Sequence, residues 1–236
     1  MRSSAASDVY KRQLLILGLF FSLSSLTLFQ AFQYIEAGIA CTILFIYPVL
    51  VAVIMAAFFK EKLTGKVVVA ILLTSCGIGL LYNGKPGSTL NLHGVAIVFL
   101  SALLYALYIV GVKKIKIIQH ISREKMSFYV MLFGLLVYIY NLKFCTELQI
   151  IDKPILWLNA IGLSILPTII SLETINIAIK FIGSTKTAIL GALEPLTAIF
   201  IGVMFFNEHL TMKIVTGVLM ILSGVLMIIM QKKSAK

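Results

Sequence analysis

Two carboxylates stand inside long apolar runs of this chain, Glu173 in Ile170-Ser171-Leu172-Glu173-Thr174-Ile175-Asn176 and Glu194 in Leu190-Gly191-Ala192-Leu193-Glu194-Pro195-Leu196. An ionised acid at the centre of a bilayer-spanning helix costs about 2.5–3.5 kcal/mol, so such a residue faces a cavity, pairs with a partner or keeps its proton. Glu194 follows Lys186 by eight residues, which at about 1.5 Å per residue sets it about 12 Å from that charged helix end. Glu173 precedes Lys180 by seven residues and reaches a similar depth on an antiparallel neighbour. The two acids are candidates for one shared site of substrate binding or proton coupling. Asn176 and Lys180 follow Glu173 at helical spacing and extend a polar stripe along one face. Structural roles stay open beside these: Glu194 capping or bonding a neighbouring helix at the Pro195 break, Glu173 satisfied by Asn176 or Lys180.

Other side chains offer organic recognition. Tyr47, Tyr105 and Tyr108 carry hydroxyls and ring faces, and each has core packing as its alternative. Pro48 and Pro195 fall near mid-helix, where each removes a main-chain hydrogen bond; the freed carbonyls suit substrate binding, a gating bend or a merely packed kink. Gln30 and Gln33 fit helix-to-helix hydrogen bonds. Glu61 and Glu208 fit loop fixing at the start of the next helix. His93, His120 and His209 have no second ligand at metal spacing, and Cys41, Cys76 and Cys145 are too far apart for a zinc site or disulfide framework and fit packing. No metal or other cofactor is expected. Trp157 fits an interfacial anchor.

The elements that position these groups are membrane helices. The 236 residues are 60% hydrophobic and 12% charged, against about 25% charged in soluble domains. Apolar runs near 14–34, 38–59, 66–82, 93–112, 126–142, 155–179, 187–206 and 213–230 approach the length of about 20 residues that a bilayer requires. Eight spans follow, broken at Glu36-Ala37-Gly38, Thr64-Gly65, Asn83-Gly84-Lys85-Pro86-Gly87 and Asp152-Lys153-Pro154. Alternate loops then place Lys60, Lys62, Lys66, Lys113, Lys114, Lys116, Arg123, Lys125, Lys180, Lys186, Lys232, Lys233 and Lys236 on one face, and only Lys85, Lys143, Lys153 and Lys213 on the other. The positive-inside rule makes the first face cytoplasmic, with the C-terminus inside. The net charge of +11 is thereby a matter of topology, and no nucleic-acid partner is expected.

The chain is an internal duplication. Phe58-Phe59-Lys60-Glu61-Lys62-Leu63-Thr64-Gly65-Lys66 recurs as Phe205-Phe206-Asn207-Glu208-His209-Leu210-Thr211-Met212-Lys213, and one register, 194 − 47 = 147, holds without a gap from Ile35/Ile182 through Pro48/Pro195 to Gly77/Gly224. The second and seventh spans are five steps apart and cross in opposite directions, which makes this an inverted-topology repeat, the arrangement of secondary transporters that bind solute where the halves meet. Ser3–Gln13 reads as an in-frame translation of a transposon-based sequencing-library adapter, so 1–13 is set aside as an artefactual segment and Leu14 taken as the first authentic residue. Residues 14–89 then form a first repeat lacking two helices and 90–236 a complete second repeat of five, eight helices of an expected ten.

Gly183-Ser184-Thr185-Lys186-Thr187-Ala188-Ile189-Leu190-Gly191-Ala192-Leu193-Glu194-Pro195-Leu196, with the Glu-x-Leu-Thr turn after it, resembles the EamA family of the drug/metabolite transporter superfamily, and the resemblance covers Leu14 to Met230. It implies an all-α polytopic membrane protein, an inverted-repeat bundle with the substrate cavity between five-helix halves, and export of amino acids, metabolites or drug-like solutes. The chain departs from the pattern in the two absent helices and in Tyr47-Pro48, where the second half has Glu194-Pro195. The expectation is a secondary transporter working by alternating access in a bacterial inner membrane, with the lipid bilayer, a small-molecule substrate, protons and a second copy of the chain as candidate partners. Rival readings are an intramembrane enzyme, for which Gly162-Leu163-Ser164-Ile165 is the nearest serine motif but lacks its closing glycine, and an assembly subunit. An ATP-driven pump is disfavoured by the absence of a phosphate-binding glycine-lysine loop.

Overall fold

A computed structural model describes residues 2–60, 65–82, 91–115, 123–144, 146, 152–170, 174, 193–206 and 211–230, and among them there is helix and turn but no strand. The helices are α1 (Arg2–Ala31), α2 (Ala37–Leu44), α3 (Tyr47–Phe59), α4 (Gly65–Tyr82), α5 (Leu92–Lys114), α6 (Arg123–Asn141), α7 (Pro154–Ser164, continued by a π-helical stretch Ile165–Ile170), α8 (Leu193–Phe206) and α9 (Met212–Ile229). Three stretches, Lys11–Ala31, Ala37–Phe59 and Leu92–Val112, are each long and apolar enough to cross a membrane, and shorter apolar helices fill the remaining spans.

Local chemistry sets the ends. Asn91 caps α5 by accepting the His93 N–H at 2.9 Å, and Thr211 Oγ1 accepts the Ile214 N–H at 3.3 Å at the start of α9. Pro154 opens α7, where its missing N–H costs nothing. Lys60 closes α3 in the left-handed region (φ 55°) with its N–H on Met55 O. Hydroxyls inside the helices turn back on their own main chain: Thr42 on Gly38 O, Thr74 on Ala70 O and Thr216 on Met212 O, at 2.8–2.9 Å. Donors satisfied within the helix are what a lipid environment demands.

The span near 38–59 differs from the sequence expectation. It is two helices, with Phe45 and Ile46 between α2 and α3 at ψ near zero. Pro48 has no N–H for the carbonyl of Leu44, and the break falls one turn before the proline. The first helix also runs through the adapter-like stretch from Arg2 without interruption. Gln13 Oε1, at the end of that stretch, is buried with no hydrogen-bond partner, a cost protein interiors seldom carry.

Contacts fix the relative directions of the helices. Along α1 and α5, Leu17 meets Gly111, Phe21 meets Tyr108 and Ser24 meets Ser101, and Tyr34 just past α1 meets His93, so α5 runs antiparallel to α1 from Leu17 onward. Tyr47 against Tyr105 and Phe59 under Lys114 (4.5 Å from Nζ to the ring centre) make α3 and α5 parallel. Both agree with an alternating series of spans in which these elements belong to the first, second and fourth.

A close seam joins α4 to α9. A Cβ on Gly77 would fall 2.7 Å from both Gly217 O and Ile221 Cγ1, and one on Gly224 would fall 2.9 Å from Ala70 O and 3.0 Å from Thr74 Cγ2. Adding 147 turns 77 into 224, 70 into 217 and 74 into 221, so the two sets of contacts exchange under the repeat. The earlier residues of α4 meet the later residues of α9, hence the helices are antiparallel. Sequence-equivalent helices of the two halves cross about a local two-fold axis at Thr74 and Ile221, both fully buried. Only glycine allows main chains this near, and small-residue contacts of this kind are how helices associate in lipid. Val218, Ile221, Leu222 and Val225 of α9 join Ile39, Ile43, Phe45, Ile46 and Val49 of α2 and α3 in the main core. Outward the bundle is apolar as well, with Phe58, Phe200, Leu163 and Leu219 exposed and α7 burying none of its residues. A surface so greasy is made for lipid.

Candidate functional site

A cavity of about 200 Å³ opens among α1, α2, α3, α5 and α8. Its walls come from Phe21, Ser24, Ser25 and Leu28 of α1, Cys41 and Leu44 of α2 with Phe45 of the break, Tyr47 of α3, Tyr105 of α5 and Glu194 of α8. Tyr47 and Glu194 are repeat mates, 47 + 147 = 194. One position of the duplicated motif thus supplies a phenol from the first half and a carboxylate from the second to the same cavity. Glu194 remains exposed there.

Aromatic rings build one side. Tyr47 meets Tyr105 edge to face at 4.8 Å, Phe45 meets Tyr47 at 5.9 Å, and Tyr108 stacks on Tyr105 at 6.0 Å while tilting against Phe21 at 5.3 Å. Such pairs, with centroids about 4.5–7 Å apart, stiffen the rings beyond what area burial gives. The spacing of Tyr105 and Tyr108 puts both on one face of α5, but a turn apart. Tyr105 therefore reaches the cavity, and Tyr108 supports it from behind.

Polar groups hold α1 against α5 at the same level. The Ser24 hydroxyl donates to Ser101 O at 2.8 Å and the Ser101 hydroxyl donates to Ser24 O at 2.7 Å. This reciprocal pair is buried and fixes the serine edge of the cavity. It makes the interhelical link expected of Gln30 and Gln33, which are both exposed. Sequence reading passed over Ser24 and Ser25; their signal was the cluster Ser22-Leu23-Ser24-Ser25-Leu26-Thr27 in an otherwise apolar span. Cys41, expected to serve packing, forms part of the cavity wall.

The break between α2 and α3 adds main-chain acceptors. Pro48 cannot donate to Leu44 O, and the Val49 N–H goes to Ile46 O at 2.9 Å, the Leu50 N–H to Ile46 O at 3.2 Å and the Ile46 N–H to Ile43 O at 3.1 Å. Ile43 O and Cys41 O at the end of α2 are thus taken, and Leu44 O is the carbonyl that Pro48 leaves without its helical donor, in a residue that lines the cavity. Pro195 stands in the first described turn of α8. Glu173 and Asn176, with Lys180, lie outside the described residues, as do Glu61, Glu208, His120 and His209. His93 packs edge to face on Tyr34 at 4.9 Å at the end of the bundle away from Lys114. Ser164 Oγ lies 2.9 Å from Ala160 O on its own exposed helix, a satisfied hydroxyl rather than a nucleophile beside a base.

A protein of Archaeoglobus fulgidus described as an uncharacterized transporter is 29% identical over 216 residues, which is 91% of this chain and 75% of that protein. A second uncharacterized transporter of the same organism is 31% identical over 75 residues, 32% of this chain and 26% of that protein. The EamA-like transporter family matches residues 3–83 and 92–230, nearly the whole chain, and with helices, repeat seam and inter-half cavity in place, the chain belongs to that family and is an integral membrane transporter.

Proposed function

We propose that the protein exports small organic solutes, amino acids or drug-like compounds among them, by alternating access of its two inverted halves. The observation that carries this reading is the cavity to which the repeat mates Tyr47 and Glu194 both contribute. A solute held between the halves is released on one side or the other as the halves rock about a close seam, and the glycine contacts of α4 and α9 supply such a seam. Glu194 is the coupling residue in this scheme, exchanging solute for a proton, with Glu173 and Asn176 as the second polar group on the path. Tyr47 and Tyr105 hold the organic body, and the Pro48 and Pro195 positions let the spans bend. The site of action is a bacterial inner membrane with the C-terminus cytoplasmic, and a second copy of the chain is a proposed partner.

Efflux decides between this reading and a non-transport role. Cells producing the natural full-length product are loaded with a panel of amino acids, metabolites and dyes, beside cells producing Glu194→Gln. The expected result is accelerated loss of one compound class, abolished by the substitution and driven by an imposed pH gradient. Absence of any efflux while the protein is folded in the membrane would count for an assembly subunit.

A further inference from the structure

We infer that the solute accepted by this cavity is a small organic cation, an ammonium group on an aromatic or aliphatic body, held by the Glu194 carboxylate, the Tyr47 and Tyr105 rings and the carbonyl end of α2. The inference rests on the transport reading and names its substrate class.

The lining carries negative and neutral polar groups. Among the described residues no Lys, Arg or His lines the cavity, and the polar groups that do are a carboxylate, two serines, two phenols and a thiol. A carboxylate only accepts, and the others accept as readily as they donate. The break adds to the same sign. The C-terminal end of α2 carries the negative pole of that helix and the released carbonyl of Leu44, whereas the opposing N-terminal end of α3 has lost a donor at Pro48 and turns its Val49 and Leu50 N–H groups back onto Ile46 O. The edge-to-face pair of Tyr47 and Tyr105, 4.8 Å between centroids, leaves ring faces for an ammonium, which aromatic faces attract within about 6 Å. An anionic solute would meet the Glu194 carboxylate and, among the described residues, no cationic side chain.

Size limits the ligand further. The cavity, about 200 Å³, is smaller than the roughly 300–1,000 Å³ of drug-sized sites, so a single ring or a short aliphatic chain fills it.

A matched set of probes tests this on the natural full-length protein in nanodiscs: 2-phenylethylammonium, 2-phenylethanol and 3-phenylpropionate, by calorimetric titration. The ammonium is expected to bind about tenfold or more tighter than the alcohol, with the carboxylate weakest, as a charge-assisted hydrogen bond to Glu194 requires. Glu194→Gln removes the ammonium's advantage while the unliganded protein keeps its unfolding temperature. Tyr47→Leu, which leaves the carboxylate in place, weakens the ammonium more than the alcohol. Equal binding of ammonium and alcohol, a preference for the carboxylate, binding of none of the three, or an ammonium preference that survives Glu194→Gln overturns the inference. Efflux separates the two readings: a neutral or anionic solute exported in a Glu194-dependent way leaves transport standing and removes the cation. Glu194-dependent ammonium binding with no solute moved removes transport and keeps the site.

Discussion

The seam of α4 with α9 and the cavity beside the α2–α3 break are two regions made from the same duplication, and they have treated it in opposite ways. At the seam one glycine position is kept in both halves: Gly77 and Gly224 stand at equivalent positions, and each brings its helix against the main chain of the other, although the residues they meet differ, Gly217 and Ile221 against Ala70 and Thr74. At the cavity the halves differ, with Tyr47 facing the same space as Glu194. A symmetric contact between two copies of one helix is satisfied by identical small residues. In the proposed function this divergence gives one cavity both a phenol and a carboxylate for the solute.

The strongest way to break this comparison is to overfill the seam. Gly77→Leu sets a side chain against Gly217 O and Ile221, and since overpacking costs about 1–3 kcal/mol or more per site, combining it with Gly224→Leu should abolish a monodisperse, folded species in detergent. A double variant with unchanged unfolding temperature would show that the seam is not a close contact. Next in size is the cavity acid. Glu194→Gln should cut transport by about tenfold or more, the loss of a hydrogen bond to a charged group, with no fall in unfolding temperature. A parallel loss of stability would make Glu194 part of the scaffold. Smaller still is the serine pair: Ser24→Ala removes the hydroxyl that donates to Ser101 O, while the Ser101 hydroxyl keeps the main-chain O of residue 24, and should cost about 0.6–1.7 kcal/mol in thermal unfolding, the range of polar contacts between membrane helices. The mildest change is Tyr47→Phe, which keeps the 4.8 Å ring contact with Tyr105 and removes only the hydroxyl. It should raise KM a few-fold at unchanged stability, whereas a full loss of transport would assign the hydroxyl itself an essential role.

Much of the architecture was legible in the sequence, because apolar length and a constant offset of 147 are properties of the chain alone. The opposite running of the repeated helices follows from counting spans, and the Gly77 and Gly224 contacts bear it out in α4 and α9. The motif prolines flagged a bend, but its place is set by the carbonyl that Pro48 abandons four residues earlier, so the helix divides at Phe45 and Ile46 rather than at the proline. Glu194 was visible because a carboxylate in an apolar helix is costly, and Tyr47 because it occupies the mate of that position. The serines were not, since a hydroxyl in a membrane helix satisfies itself on its own main chain as easily as it crosses to another. Thr42 does the first and Ser24 the second, and only the packing of α1 on α5, from residues 77 positions apart, tells them apart. Cys41 was hidden for the same reason. It stands between Ala40 and Thr42 in an apolar stretch, and only the packing of the helices shows that it lines the cavity.

That placement gives the most direct measurement of the central claim, that the solute occupies the space between Tyr47 and Glu194. The rate at which a small membrane-permeant maleimide modifies Cys41 is measured in the natural full-length protein, with Cys76 and Cys145 replaced by serine, with and without saturating solute from the efflux panel. The account predicts that bound solute slows Cys41 modification at least several-fold and that Glu194→Gln removes the protection. Modification at the same rate with and without a solute that the protein demonstrably exports would contradict it and move the transport path elsewhere in the bundle.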